Sequence, residues 1–477
     1  MSRTEYALLG GLLLAYLALG ALFAVRTPPW QAPDEPAHVN YVRQLVEGQW
    51  PVIAPGDWDQ AYLSQIVGAE FAPGLPVDGI TYEDWQPPLY YLLQAPIYAL
   101  TGGSLTAMRL LSVALGAGVV ALAYVVGRAV FGRVASALAV AAFVAFLPQH
   151  LAILGSVNND ALSELIIAAI LALLVTPWPE APAAGGRAER RRLLALGLLL
   201  GAGFLTKGQA YLMAPVVGVF LLVRYWPRPD RSPRSVRSMA SPLLWVFAPA
   251  LLMGAVVWGR NAAVYGGLDV LARAAHDEVV VGQPRTAEWL AQYGLAGTLG
   301  RFARTTFVSF WGQFGWMAAP LPGWMVAGLL GLTVVAMIGL VMAAIGAQGS
   351  KGARGQGGAA RATRPIAKEE ADSAVHRRPL ATRHAPLVLG LTFLLTLGLH
   401  VAYNLTFVQH QGRYLYPALI PIAVGFVAGL DTWRRLLVGR FGKSPDAGEW
   451  LLPVGVAGLL ISIALFALWR IIPGLAP

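Results

Sequence analysis

Thr27-Pro-Pro-Trp-Gln-Ala-Pro-Asp-Glu-Pro-Ala-His38 follows directly on an apolar run of membrane length, Leu8–Ala24. Asp34, Glu35 and His38 therefore sit just past the end of a transmembrane helix, among prolines that fix the backbone around them. Carboxylates at a membrane boundary are costly unless they bind a cation, hold a substrate or move protons. Whether they lie at such a boundary depends on the rest of the chain.

Apolar runs recur throughout the 477 residues, of which 56% are hydrophobic and only 13% charged. That composition predicts an all-α polytopic membrane protein. Crossings are expected near 5–25, 108–130, 134–154, 160–177, 192–206, 210–225, 241–259, 324–346, 386–406, 414–431 and 450–470, about eleven at about 20 residues each. Ser2-Arg3 before the first run resembles a signal peptide, but no small-residue cleavage site follows, and a retained helix is expected. With the N-terminus cytoplasmic, the cytoplasmic segments hold 24 of the 35 lysines and arginines. The first external loop, residues 27–107, has Arg43 as its only basic residue against nine acids. A full crossing at 87–101 would invert every later loop, so that stretch is expected as a re-entrant or interfacial helix.

Three regions follow. Residues 1–346 form a transmembrane module carrying the loop 27–107. Residues 347–385, rich in Gly, Ala and Arg, form a basic cytoplasmic linker expected to be disordered, and 386–477 supply the C-terminal transmembrane helices. The absence of cysteine excludes disulfides, thiolate metal sites and cysteine nucleophiles. The net charge of +10 is orientation signal and contact with membrane lipids, with no nucleic-acid partner implied.

In this topology the unusual polar residues collect on the external face. Asp34, Glu35 and His38 are joined by Gln86, Asp160, Lys207, Arg260, Gln411, Arg413 and Tyr414, each in an external loop or at a span end. Two acidic positions on separate loops can share a divalent cation or divide base and orienting roles. Lys207, the sole external lysine, and Arg413 suit a phosphate. Each has a plainer explanation as well. Asp34 or Glu35 could cap a helix over 37–47, and Asp160 the helix it precedes. His38 could be a hydrogen-bonded helix residue, Lys207 a snorkelling side chain, and Arg260 a span terminator. Trp30, Trp50, Trp58 and Trp85 suit interface anchors more readily than sugar platforms.

The pattern resembles the polytopic glycosyltransferases of the C-type fold, which include protein O-mannosyltransferases and the lipid A aminoarabinose transferase. Pro33-Asp-Glu-Pro-Ala-His38 resembles their acidic pair in the first external loop, and Asp160 of Val157-Asn-Asn-Asp160 their second acidic position. Gln86-Pro-Pro-Leu-Tyr-Tyr91 is similar to their interfacial-helix motif, Gly127-Arg-Ala-Val-Phe-Gly132 to their first cytoplasmic turn, and Leu205-Thr-Lys-Gly208 to a later lysine motif. The bacterial branch known as domain of unknown function 2142 is closer still. Pro-Asp-Glu-Pro-Ala-His, Ser309-Phe-Trp-Gly-Gln-Phe-Gly-Trp316 and Gln411-Gly-Arg-Tyr-Leu-Tyr-Pro417 look like its signatures.

The resemblance implies an inverting glycosyltransferase of a bacterial inner membrane, acting on the extracytoplasmic face. It implies a polyprenyl-phosphate sugar donor and a lipid, glycan or protein acceptor. Catalysis falls to Asp34, Glu35 and Asp160, with Asp34 the base and Glu35 its support, or the reverse. Lys207, Arg413, Arg260, Gln411, Tyr414 and Gln86 bind substrate or its phosphate. A divalent cation, magnesium or manganese, could lie among Asp34, Asp160 and His38, or the carboxylates could work without one. The rival class is a lipid-linked glycan flippase or transporter, whose charges belong near mid-bilayer on broken helices.

Overall fold

The computed structural model describes residues 2–178, 186–226, 237–356, 380–444 and 446–476. Each of the eleven expected spans falls on a helix. By length and composition, however, eight described helices can cross a membrane. The number is nine if Val134–Phe146 and Pro148–Leu154, bent by 61° at the break, form one span. Two expected spans fall short. Asp160–Val175 has 16 residues, about 24 Å of rise against a hydrocarbon layer of about 30 Å. It is buried along most of its length, so neighbouring helices rather than lipid surround it. The other, Arg187–Phe204, spends its first two turns on charged residues.

Tight contacts between small residues set the bundle. A β-carbon on Gly429 would lie 1.9 Å from the Ala336 carbonyl oxygen, so helices Gly323–Gln356 and Leu419–Arg440 touch backbone to backbone there. Helix Val134–Phe146 is apolar on every face and packs against Leu105–Phe131 in the main core.

Residues 27–107 form a layer with its own small core of Ala37, Ile53, Leu63, Ile66, Ile80 and Tyr82, closed by Val280 from a later loop. Its helices are Glu35–Val46, Gln60–Gly68 and Leu89–Thr101. The last begins after Pro87-Pro88 and ends at Gly102 in the left-handed conformation. At 13 residues, about 20 Å, it cannot cross, as expected for 87–101.

Two features depart from the sequence reading. Residues Thr286–Trp311 form a further helix broken at Gly294, whose apolar pattern is interrupted by Arg301 and Arg304. The expected linker 347–385 is helical at its ends, since one helix runs to Gln356 and the next starts at Leu380. Residues 357–379 lie outside the described part.

Candidate active site

Asp34 adopts the left-handed backbone conformation with φ +67°, a state that costs a non-glycine residue of order 1 kcal/mol and clusters at functional sites. It precedes helix Glu35–Val46, with Pro36 in the first turn, where the missing N–H is no loss. The helix-cap explanation fails for Asp34, because its side chain makes no capping bond. Instead Oδ1 accepts from the Tyr82 hydroxyl at 2.8 Å and Oδ2 accepts from Nη2 of Arg413. Arg413 is 7% exposed, and its Nε and Nη1 find no partner among the described residues.

Both groups line a cavity of about 660 Å³, together with His38, Gln86, Lys207, Gln411 and Tyr414. Five of the six substrate-side residues expected from sequence, and His38 of the expected cation set, thus meet Asp34 in one place. Asp160 stands behind them, its Oδ1 accepting from Lys207 Nζ at 2.6 Å. The two acids and two cations therefore pair off as Asp34–Arg413 and Asp160–Lys207.

Glu35 and Arg260 lie elsewhere. Glu35 is fully buried and accepts from Arg109 Nε at 2.7 Å and Nη2 at 2.5 Å, and from the Val157 N–H at 3.0 Å. Arg109 also donates to the carbonyls of Ala24 and Thr27 at the end of the first helix. A charge placed this way holds elements together and does not face substrate. Arg260 donates to the Pro51 carbonyl and lies 5.5 Å from the Tyr265 ring, fastening the 27–107 loop outside the cavity lining. The cation set also changes. The acidic and imidazole groups that converge are Asp34, His38 and Glu83, with ligand atoms within 4.8 Å of one another. Lys207 occupies Asp160 in its place.

The motifs serve mainly as scaffolding for these groups. The Tyr90 hydroxyl accepts from the Asn158 N–H at 3.0 Å, and the Tyr91 hydroxyl meets His38 Nδ1 at 2.9 Å and Asn159 Nδ2 at 3.3 Å. The Leu89 N–H donates to the Leu205 carbonyl at 2.8 Å. One short helix thus ties the Asp34, Asp160 and Lys207 loops together. Gly412 is required by the approach of helix Thr286–Trp311, since a β-carbon would meet Phe310 N at 2.3 Å. Its N–H donates to Ser309 Oγ at 2.8 Å, and Trp316 Nε1 donates to the Trp30 carbonyl at 2.9 Å. The Ser309–Trp316 segment therefore positions Arg413 from one side and the Asp34 loop from the other.

Burial alone would raise the Asp34 carboxyl, but Arg413, then His38 and Tyr82, hold it at about 2. Burial pushes the neutral form of His38 to dominate, lowering it to about 3. Glu83 goes the other way, raised to about 8 by burial and then by the charge of Asp34. Below the ordinary value of 4.5 it is protonated in folded and unfolded chains alike, so no stability is lost there. As pH rises toward 8 the unfolded chain ionises first, and stability falls. Glu83→Gln, a neutral isostere, should match wild type in thermal unfolding at pH 5 and outlast it at pH 9, with chelator present. An equal gap at both pH values would contradict this.

Glu83 and Tyr82 gave no signal in sequence, because the 27–107 loop lacks periodicity that would aim a side chain. Arg109 was hidden as the basic flank of a span. Another pair lies inside the bundle, where His150 Nε2 meets Glu164 Oε2 at 2.7 Å. Neither residue lines the cavity.

Residues 85–258 match the family model for dolichyl-phosphate-mannose-protein mannosyltransferase. The match takes in Gln86, Asp160 and Lys207 but not Asp34 or Arg413. It supports a place within the polytopic glycosyltransferase superfamily, and the chain is a multi-pass membrane protein. No curated protein matches the sequence. Among solved structures, the chain is similar to the ArnT of Cupriavidus metallidurans bound to undecaprenyl phosphate. The identity is 15% and the TM-score 0.47, over 99% of this chain and 74% of that one. It is similar to the Archaeoglobus fulgidus oligosaccharyltransferase AglB, bound to an inhibitory peptide and a dolichol-phosphate, at 13% identity and TM-score 0.46, over 95% of this chain and 55% of that one. It is also similar to the S. cerevisiae protein O-mannosyltransferase Pmt1-Pmt2 complex bound to the sugar donor, at 18% identity and TM-score 0.41, over 56% of this chain. The chain spans 35% of that yeast protein's length.

Proposed function

We propose that the protein is an inverting glycosyltransferase of the domain-of-unknown-function 2142 type, using a polyprenyl-phosphate sugar on the extracytoplasmic face of a bacterial inner membrane. The observation that carries this reading is one cavity lined by Asp34, Arg413 and Lys207, in which each cation is paired with an acid, Arg413 with Asp34 and Lys207 with Asp160 behind the lining. A donor phosphate entering there meets Arg413, with two further N–H groups unpartnered, and Lys207 beside it.

In this reading the Asp34 carboxylate takes the proton of an acceptor hydroxyl as its oxygen attacks the anomeric carbon. The bond from that carbon to the phosphate oxygen breaks, and polyprenyl phosphate leaves with the electron pair and one added negative charge. Arg413 and Lys207 stabilise that charge, so no proton is needed on the leaving group. Asp34 locked to Arg413 is a weak base. The phosphate competes for Arg413 and loosens the pair, so the base strengthens when the donor is present. Magnesium or manganese would be held by Asp34, His38 and Glu83, neutralising phosphate charge. His38 keeps Nε2 for such a role while Nδ1 meets Tyr91.

Arg413→Ala should raise the KM for donor at least tenfold, since charge-assisted bonds to phosphate are the strong ones. Steady-state turnover against donor concentration reads this, and an unchanged KM would remove Arg413 from the donor site. The transporter reading has the His150–Glu164 pair in its favour. That pair, however, is closed by the Val144 carbonyl and is separate from the cavity, which suits bundle packing. Consumption of labelled donor by the purified protein tests the transferase reading.

A further inference from the structure

We infer that the acceptor is a carbohydrate, its ring held against Trp58 and Trp85 with a hydroxyl presented to Asp34; this rests on the transferase reading above. Trp58 packs edge-on to Tyr82 with ring centroids 4.9 Å apart, and the Tyr82 hydroxyl is the one bonded to Asp34. Trp85 lies 4.7 Å from the His276 ring. Both tryptophans line the cavity. Trp50, by contrast, is half exposed and fits the interface-anchor role expected for all of them. The C–H face of a sugar ring packs on an indole as apolar surface, while its hydroxyls stay free for hydrogen bonds.

The polar lining fits hydroxyls as well. Gln60, Gln86, Gln209, Gln283, Gln409 and Gln411 all border the cavity. Each amide is neutral and both donates and accepts, as a hydroxyl does. Next to Asp34, three consecutive-region atoms are buried without a partner among the described residues: Glu83 Oε2, Trp85 Nε1 and Gln86 Oε1. Native proteins rarely leave such atoms unpaired, so they mark where a ligand or a bound water belongs. Gln86 Oε1 accepts, Trp85 Nε1 donates, and the neutral Glu83 carboxyl can do either, a mix that hydroxyl groups, which do both, can meet. One common way to hold an extended peptide is to add it as a strand to a sheet edge. The described residues offer only the two-residue strands Gln313–Phe314 and Ala319–Pro320, which pair with each other.

In the step itself the acceptor sugar oxygen forms the new bond to the donor's anomeric carbon and its proton passes to Asp34. Polyprenyl phosphate departs with the electron pair.

The test uses the full chain in lipid nanodiscs against an array of bacterial envelope oligosaccharides, without donor. Wild type should bind a subset, and Trp58→Ala and Trp85→Ala should each weaken binding about tenfold, the scale of a lost ring contact. Trp85→Phe, which keeps the ring face and loses the N–H, should fall between, and a single symmetric gel-filtration peak guards against misfolding. Donor consumption is followed separately with each saccharide and with serine- and threonine-containing peptides. Saccharide binding that both alanine variants retain overturns the inference. So does donor consumption by a wild-type protein that binds no saccharide, or that glycosylates the peptides instead. If saccharides bind but no donor is consumed under any condition, the transferase reading fails and takes the acceptor assignment with it.

Discussion

Asp34→Asn should lower sugar transfer by roughly 10²–10⁴-fold, the span attributed to one positioned base, while the chain stays folded. The change is nearly isosteric. The amide oxygen can still accept from Tyr82, and no backbone contact is altered. What disappears is the charge that takes the proton and holds Arg413. With Arg413 released, donor binding should tighten or stay level, so the loss falls on kcat and KM does not rise. That split separates a base from a residue that merely shapes the pocket, whose removal would raise KM. Turnover at saturating donor reads it, and a variant that retains full kcat would remove Asp34 from catalysis.

The adjacent acid should behave in the opposite manner. Glu35→Ala leaves the buried Arg109 guanidinium without its carboxylate, at a cost of about 3–5 kcal/mol. The Val157 and Trp30 N–H groups lose an acceptor at the same time. These contacts join the end of the first helix, the start of Glu35–Val46, the helix Leu105–Phe131 and the loop before Asp160. Folded yield and thermal stability in detergent should therefore drop sharply. Any residual folded protein should keep a donor KM close to wild type, because Glu35 does not border the cavity. Full stability with selective loss of kcat would instead make Glu35 catalytic.

Much of this arrangement is legible in sequence because membranes impose simple rules. Apolar length placed a helix at every expected span, and the charge asymmetry of the loops gathered Asp34, Lys207 and Arg413 on one face. What sequence could not decide is direction. Asp34 and Glu35 are neighbours, yet a left-handed turn at Asp34 sends one carboxylate to the cavity and the other to Arg109. No pattern in Pro-Asp-Glu-Pro encodes that choice. Glu83 entered the cluster expected of Asp160 for a similar reason, since irregular loop backbone carries no period. Gly412 makes room for a helix, a close approach that the Gln411–Pro417 motif alone does not show. By length and composition eight or nine described helices can cross, and Asp160–Val175 falls short of that measure because it sits inside the bundle, where full membrane length is unnecessary.

The most direct measurement is consumption of a panel of radiolabelled polyprenyl-phosphate sugars by the purified wild-type protein. The account predicts that one sugar is released from its lipid carrier in an Asp34-dependent manner, with inverted anomeric configuration in the product. A folded protein that binds the labelled lipids but leaves every donor intact would contradict it and favour transport.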